Sequence, residues 1–278
     1  MVSNDNEVSL EEAIRFIDDS SRNSNSLIIS GGEPTIHPHF LEIVEYAKHH
    51  FKHVSLMTNG LKFADTAFLN ATIDAGIDRI SIPFYSSEEN EYNEWVGNIN
   101  AFERFITGLS NVNDLLSNKS FEIQLKLLLA KFTYKINPRS VDYIAKCFPN
   151  IKRVSLYGFH ISDKAFEHAN KCVLNYNESR PFNDFTILKL KEHGFDYHVC
   201  EIPLCAFSEN MIGYLLQSKK VAYTDETYLK RPDWKSKVVS SPVFVPDGCK
   251  VCSIYKLCPK ILAKNASSFE FGIRPVLI

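Results

Sequence analysis

The sequence has no long apolar run. Stretches such as Leu127-Leu128-Leu129-Ala130 fall far short of the roughly 20 residues that a membrane-spanning helix needs. It also has no basic surplus. Lys and Arg number 31 against 33 Asp and Glu, a formal net charge of −2. That balance gives no electrostatic reason to expect nucleic acid or a membrane surface as partner. Met1 to Leu10 is polar and holds no apolar signal-peptide core. No Gly-x-Ser-x-Gly, P-loop or His-Glu-x-x-His pattern occurs, which removes the common hydrolase, NTPase and zincin readings. No internal repeat or low-complexity tract is visible. These absences predict a soluble, cytoplasmic protein.

What is present is globular. The 278 residues are 45 % apolar and 23 % charged. At about 150 residues per domain this length gives two domains, or one α/β barrel. The seven cysteines are Cys147, Cys172, Cys200, Cys205, Cys249, Cys252 and Cys258. An odd count in a chain without a secretion signal argues against a disulfide framework. Three of them crowd together near the C-terminus, and such a cluster points to metal.

Short apolar runs alternate with amphipathic stretches from Ser26 to about Gly158. Strands are predicted at Ser26–Ser30, His53–Met57, Arg79–Pro83, Phe121–Leu129 and Arg153–Tyr157. Helices are predicted at Pro38–His50, Asp65–Ala75, Asn98–Leu116 and from Asn137 to Phe148, the last opened by Pro138 in its first turn. This alternation reads as right-handed βαβ units and a parallel sheet. A helix over Leu10–Ser20, capped by Ser9 and Glu12, precedes the first strand. Either a strand is missing at the front or this helix simply packs on the barrel. The predicted class is α/β: a partial (β/α)6 TIM-like barrel, first strand missing, over 1–196, followed by a small cysteine-rich module over 197–278. A helix through Leu188 ends at Gly194. Phe195–Ile202 alternates like a strand, and the rest reads as loop-rich.

Ser30-Gly31-Gly32-Glu33-Pro34-Thr35 directly follows the first visible strand. Ligands of parallel barrels bind on the loops at the C-terminal strand ends. Two glycines let backbone approach a ligand. Glu33 adds a carboxylate suited to an ammonium group, and Pro34 stiffens the exit. The competing reading is a tight turn with a solvated Glu.

Together with Met57-Thr58-Asn59-Gly60 after the next strand, Ser81 on the third, and Tyr85 to Gly97 ending in Glu-Trp-Val-Gly, this segment resembles the radical S-adenosylmethionine (SAM) superfamily. The resemblance implies that Gly31, Gly32, Glu33 and Pro34 hold the methionyl amino group of SAM, with Asn59 beside them. It places Ser81 near the ribose, and Leu156 and Tyr157 near the adenine. It also implies a [4Fe–4S] cluster on Cys-x3-Cys-x2-Cys, a motif absent from the 278 residues. That motif would fall before the first helix, where the strand is also missing. The expectation is an N-terminally shortened form without the ligands for reductive SAM cleavage. A misplaced start codon or a true pseudo-enzyme would explain it.

Cys249-x2-Cys252-x5-Cys258 suits one metal centre, with Cys205 in Ile202-Pro203-Leu204-Cys205 as fourth ligand. Four thiolates fit an auxiliary [4Fe–4S] cluster or Zn²⁺. The resemblance favours iron–sulfur, because peptide-modifying radical SAM enzymes often carry SPASM or twitch modules. Pro83-Phe-Tyr-Ser, Glu91-Tyr-Asn-Glu-Trp95 and the closing Gly272-Ile-Arg-Pro275 extend the resemblance, from about Glu7 to Ile278, to the maturases of His-Xaa-Ser repeat peptide systems. Pro259-Lys260 departs from that pattern. The partners so implied are a ribosomal precursor peptide and an electron donor such as flavodoxin or ferredoxin. Catalytic residues are not assignable.

Cys147, Cys172 and Cys200 read as core or incidental thiols, Cys200 also as a spare ligand. His37, His39, His49, His50 and His53 read as solvated helix ends. The rival functions are a non-catalytic peptide-binding partner and a zinc-stabilised barrel of unrelated role.

Overall fold

The computed structural model describes residues 8–159, 172–222, 243–244, 247–259 and 261–262. Seven strands form one parallel sheet in sequence order: β1 Ser26–Ile29, β2 His53–Met57, β3 Arg79–Phe84, β4 Glu122–Leu129, β5 Arg153–Gly158, β6 Val199–Cys200 and β7 Val221–Ala222. A second, antiparallel pair joins β8 Val243–Phe244 to β9 Ile261–Leu262. Every neighbour in the main sheet is the preceding strand, so the array is an open, partial TIM-like barrel. The sheet continues through β6 and β7, past residue 196.

The helices are α1 Leu10–Ser21, α2 Phe40–His50, α3 Thr66–Asp74, α4 Glu89–Val96, α5 Ala101–Leu115, α6 Asn137–Cys147, α7 Tyr176–Glu192 and α8 Glu209–Gln217. The capping box of α1 is formed: Ser9 Oγ accepts from Glu12 N–H, and the Glu12 carboxylate accepts from Ser9 N–H. Asp65 caps α3 through Ala67 and Phe68 N–H, and Ser208 caps α8 through Met211 N–H. The predicted helix over Asn98–Leu116 is preceded by the separate α4, whose end is marked by left-handed Gly97. The predicted strand over Phe195–Ile202 narrows to Val199–Cys200, where pairing to β5 is regular.

Register sorts the side chains. Val54, Leu56, Ile80, Ile82, Leu125, Leu127, Val154, Leu156 and Val199 share one face and are fully buried. They form one core with Val44 of α2, Phe105 and Leu109 of α5, Val141 and Ile144 of α6, and Ile187 and Leu190 of α7. Truncating any of these Leu or Ile residues to Ala would cost about 2–5 kcal/mol. The opposite face lines the inside of the curl and carries Ser55, Ser81, Gln124, Lys126, Ser155 and Tyr157 beside Met57, Pro83 and Leu128. At the strand starts runs a chain of opposite charges. Glu122 takes Arg79 at 2.7 Å and Arg153 at 2.9 Å, and Asp196 takes Arg153 at 2.8 Å and Lys220 at 3.6 Å. Stability devices thus occupy one rim and leave the C-terminal rim to ligands.

Candidate functional site

The C-terminal ends of β1 and β2 are joined through Glu33. Its Oε1 accepts from Thr35 N–H at 3.1 Å, Thr35 Oγ1 at 2.6 Å and Thr58 Oγ1 at 2.7 Å. Its Oε2 accepts from Asn59 N–H at 2.6 Å. Charge-assisted bonds of this kind are the strong ones. The carboxylate therefore ties two loops together and keeps one Oε2 lone pair for a ligand. A solvated Glu in a plain turn does not describe this geometry.

The second loop is built to meet it. Thr58 Oγ1 accepts from Gly60 N–H, and Asn59 Oδ1 accepts from Leu61 N–H, an Asx turn. Gly60 is left-handed at φ +78°, and its carbonyl sits where a Cβ on Gly108 of α5 would come within 2.6 Å. The Gly31 and Gly32 backbone is exposed, with nothing within 4 Å of an added Cβ at either position. Pro34 opens a short 3-10 turn behind Glu33. Ser81 is buried beside Met57 in register, and its carbonyl accepts from Thr58 N–H. Gly31, Gly32, Glu33, Pro34, Asn59 and Ser81 thus lie on adjacent loops and strand ends.

Leu156 and Tyr157 separate. Leu156 is on the helix-covered face and fully buried, whereas Tyr157 faces inward. Period-2 alternation forces consecutive strand residues apart. Three inward residues escape a reading of the sequence, Gln124, Lys126 and Ser155, and past the ends of β3 and β4 stands an aromatic wall. In that wall Trp95 stacks on Phe132 with centroids 3.3 Å apart, and Tyr85 lies 6.3 Å from Trp95. Burial, then the Glu33 carboxylate, push the Tyr85 phenol upward. A signal for Gln124 and Lys126 does exist, as polar residues at period 2 within an otherwise apolar parallel strand.

At the other end of the sheet, α7 pins the loop that carries Cys205. Arg180 donates to the Cys205 carbonyl at 2.9 Å and Asn183 to the Ala206 carbonyl at 2.8 Å. Leu204 N–H donates to Cys258 Sγ at 3.4 Å. Burial, then the Cys205 and Cys258 sulfurs, raise the Tyr176 phenol above its usual range. Cys205 and Cys258 therefore meet around Tyr176. Cys249 and Cys252 share one turn, closed by Cys252 N–H to the Cys249 carbonyl. Among the described residues no three His, Cys, Asp or Glu side chains are already gathered as a metal set. Cys200 pairs with Tyr157 in register, Cys172 is buried, and Cys147 is exposed at the end of α6. His39 pairs with Glu42 and His50 with Asp18. Gly272–Pro275, Glu7 and Lys260 lie outside the described residues.

Residues 2–124 match the family model described as the radical SAM superfamily. Those residues are similar to a radical SAM domain. The chain is 28 % identical over 156 residues to the AdoMet-dependent heme synthase of Methanosarcina barkeri, covering 56 % of this chain and 41 % of that protein. It is 26 % identical over 160 residues to a probable GTP 3',8-cyclase of Saccharolobus islandicus, covering 56 % and 48 %. The match thus spans less than half the length of these relatives. Among solved structures, SuiB of Streptococcus suis bound to S-adenosylmethionine superposes with a TM-score of 0.55 at 13 % identity, over 71 % of this chain and 45 % of that one. That likeness is one of fold. The radical SAM match ends inside β4, so it takes in Gly31 to Pro34, Asn59 and Ser81, and leaves out Tyr157 and all the cysteines. Among the described residues, no helix is long and apolar enough to cross a membrane.

Proposed function

We propose that this chain serves a radical SAM maturase that modifies a ribosomally made peptide, and that its SAM site is the loop pair tied by Glu33. The carrying observation is that tie: a carboxylate held by Thr35, Thr58 and Asn59 beside an open, Cβ-free backbone at Gly31 and Gly32. The donors fix the carboxylate before any ligand arrives, so little ordering is left to binding. The remaining Oε2 lone pair and the Gly31–Gly32 carbonyls suit an ammonium group. SAM bound at a reduced [4Fe–4S] cluster supplies hydrogen-atom abstraction. The 278 residues include no Cys-x3-Cys-x2-Cys, and none of them is assigned to that cluster. Within this chain, Glu33 orients the amino end, Ser81 and Tyr157 line the inner face, and Tyr85, Trp95 and Phe132 shield the mouth from water. An aromatic wall of this kind suits a peptide side chain.

Cys205, Cys249, Cys252 and Cys258 are the proposed ligands of an auxiliary cluster. Their donor chemistry fits four thiolates on iron–sulfur or zinc, and the Cys205 loop is held in advance by Arg180 and Asn183. The peptide assignment rests on the sequence resemblance, and the soluble cytoplasmic setting follows from the same reading. The test is calorimetric titration of SAM into the 278-residue chain. Binding that weakens about tenfold in Gly32→Val, about 1.4 kcal/mol, is expected. A chain that does not bind SAM, or a Gly32→Val variant that binds it equally well, overturns the site.

A further inference from the structure

Three side-chain atoms among the described residues are buried without a hydrogen-bond partner: Asn137 Oδ1, Ser140 Oγ and Asn183 Oδ1. Their residues are at most 1 % exposed. Such atoms are rare in folded chains, because each loses its hydration and gains no bond. These three are not scattered. Asn137 and Ser140 stand one turn apart in α6, so they share a helix face. Asn183 belongs to α7, and α6 and α7 pack side by side. The Tyr134 ring meets Phe182 edge-on at 5.3 Å just before α6 begins, and Lys189 pairs with Asp142 at 3.3 Å farther along. All three residues fall between those two contacts in sequence.

Turning the amides round does not help them. Asn137 Nδ2 donates to the Leu128 carbonyl at 3.0 Å. Asn183 Nδ2 donates to the Ala206 carbonyl at 2.8 Å and to Ser179 Oγ at 3.0 Å. Exchanging O and N would set oxygen against each of those carbonyls. Ser140 also departs from other helical hydroxyls. Thr72, Thr107, Thr186 and Ser218 each donate to the carbonyl four residues back. The corresponding Ile136 carbonyl accepts from Ser140 N–H, yet Ser140 Oγ does not turn to it. The amide oxygens only accept, and the hydroxyl both donates and accepts. Water matches that set, with two hydrogens for the amide oxygens and lone pairs for the hydroxyl.

We infer that the seam between α6 and α7 is a built water site, in which ordered water donates to Asn137 Oδ1 and Asn183 Oδ1 and bonds the Ser140 hydroxyl. This goes beyond the maturase reading, which uses none of these residues. It bears on the mouth all the same. Asn137 holds the end of β4 through Leu128, and the turn between them carries Phe132, the partner of Trp95. Water on Asn137 fixes the amide that holds this turn.

The test is a high-resolution crystal structure of the 278-residue chain, read beside thermal unfolding of Ser140→Ala. Density for water within about 3.2 Å of both Asn137 Oδ1 and Ser140 Oγ is expected. Dry density at these atoms, or Ser140 Oγ turned to the Ile136 carbonyl, overturns the inference. In Ser140→Ala the water loses one of its bonds, and the unfolding midpoint should fall by about 2–4 °C. The better helix propensity of alanine works against that fall. If Ser140 Oγ has no water, the same change removes a buried unpaired group and the midpoint holds or rises. A midpoint that holds or rises therefore overturns the inference too.

Discussion

At the scale of single residues, Glu33 shows why side-chain type matters more than exposure. All four bonds to it come from donors, two of them backbone or side chain of Thr35 and two from the β2 loop. Glu33→Gln would keep the shape but turn an NH2 group toward one of these donors. Loss of about 1–3 kcal/mol of stability is expected in urea unfolding, with SAM affinity falling about tenfold in calorimetry. Lost stability with unchanged affinity would reduce Glu33 to a brace. Gly158 gives a second residue-level prediction. An added Cβ would sit 2.1 Å from the Glu201 carbonyl, and Glu201 is itself left-handed at φ +58°. Gly158→Ala should therefore cost about 1–3 kcal/mol by overpacking. Gly213 of α8 has open space around it, so Gly213→Ala should gain about 0.5–1 kcal/mol in the same assay. Neither contrast is legible in the sequence, where both glycines look alike. The Gly31-Gly32-Glu33 segment is legible, since its place after an apolar strand follows from local pattern.

At the scale of elements, the strands legible in the sequence are those buried on their helix side along their whole length. His53–Met57 coincides with its prediction, and Arg79–Pro83 and Arg153–Tyr157 each gain one residue. The misses share a cause: tertiary pairing decides them. β6 ends after two residues because only Val199 and Cys200 meet β5 in regular register. α4 and α8 are two-turn helices whose existence depends on packing more than on periodicity. Leu156 and Tyr157 look like one feature in the sequence because they are neighbours there, while a strand sends them to opposite faces. The charged chain at the strand starts also belongs to this scale, since it links β3 to β7. Burial would raise the Asp196 carboxyl, but Arg153, Lys220 and His198 outweigh it and hold that carboxyl below its ordinary 3.8. A depressed folded value means that its stabilisation is whole above the unfolded value and is lost as pH falls through the folded one. With 43 % of the side chain exposed, the screened effect is at most about 1 kcal/mol. Asp196→Asn should trail the wild type in urea midpoint by a constant amount above about pH 5, and the gap should close as pH falls through the carboxylate range. The gap should shrink in high salt.

At the scale of the whole molecule, the sheet and the cysteine-bearing tail meet at one seam. The tail docks by burying Ile254 in the main core and by the Leu204 N–H to Cys258 Sγ contact. A metal shared by Cys205 and the tail would add to the fastening that Ile254 and the Leu204 N–H to Cys258 Sγ contact give among the described residues. Anaerobic reconstitution should then yield about four irons and four sulfides per chain for a cluster, or about one zinc and no labile sulfide for a structural ion. Cys258→Ser and Cys205→Ser should each lower metal content and expose the tail to proteolysis together. Cys200→Ser and Cys147→Ser should change neither, because one faces the barrel interior and the other lies at the end of α6. Equal metal loss in Cys200→Ser would move a ligand onto β6, next to Tyr157, and place the metal inside the barrel instead of at the seam. Metal analysis of these four variants, read beside limited proteolysis, therefore decides both where the centre sits and whether it joins the two parts of the chain.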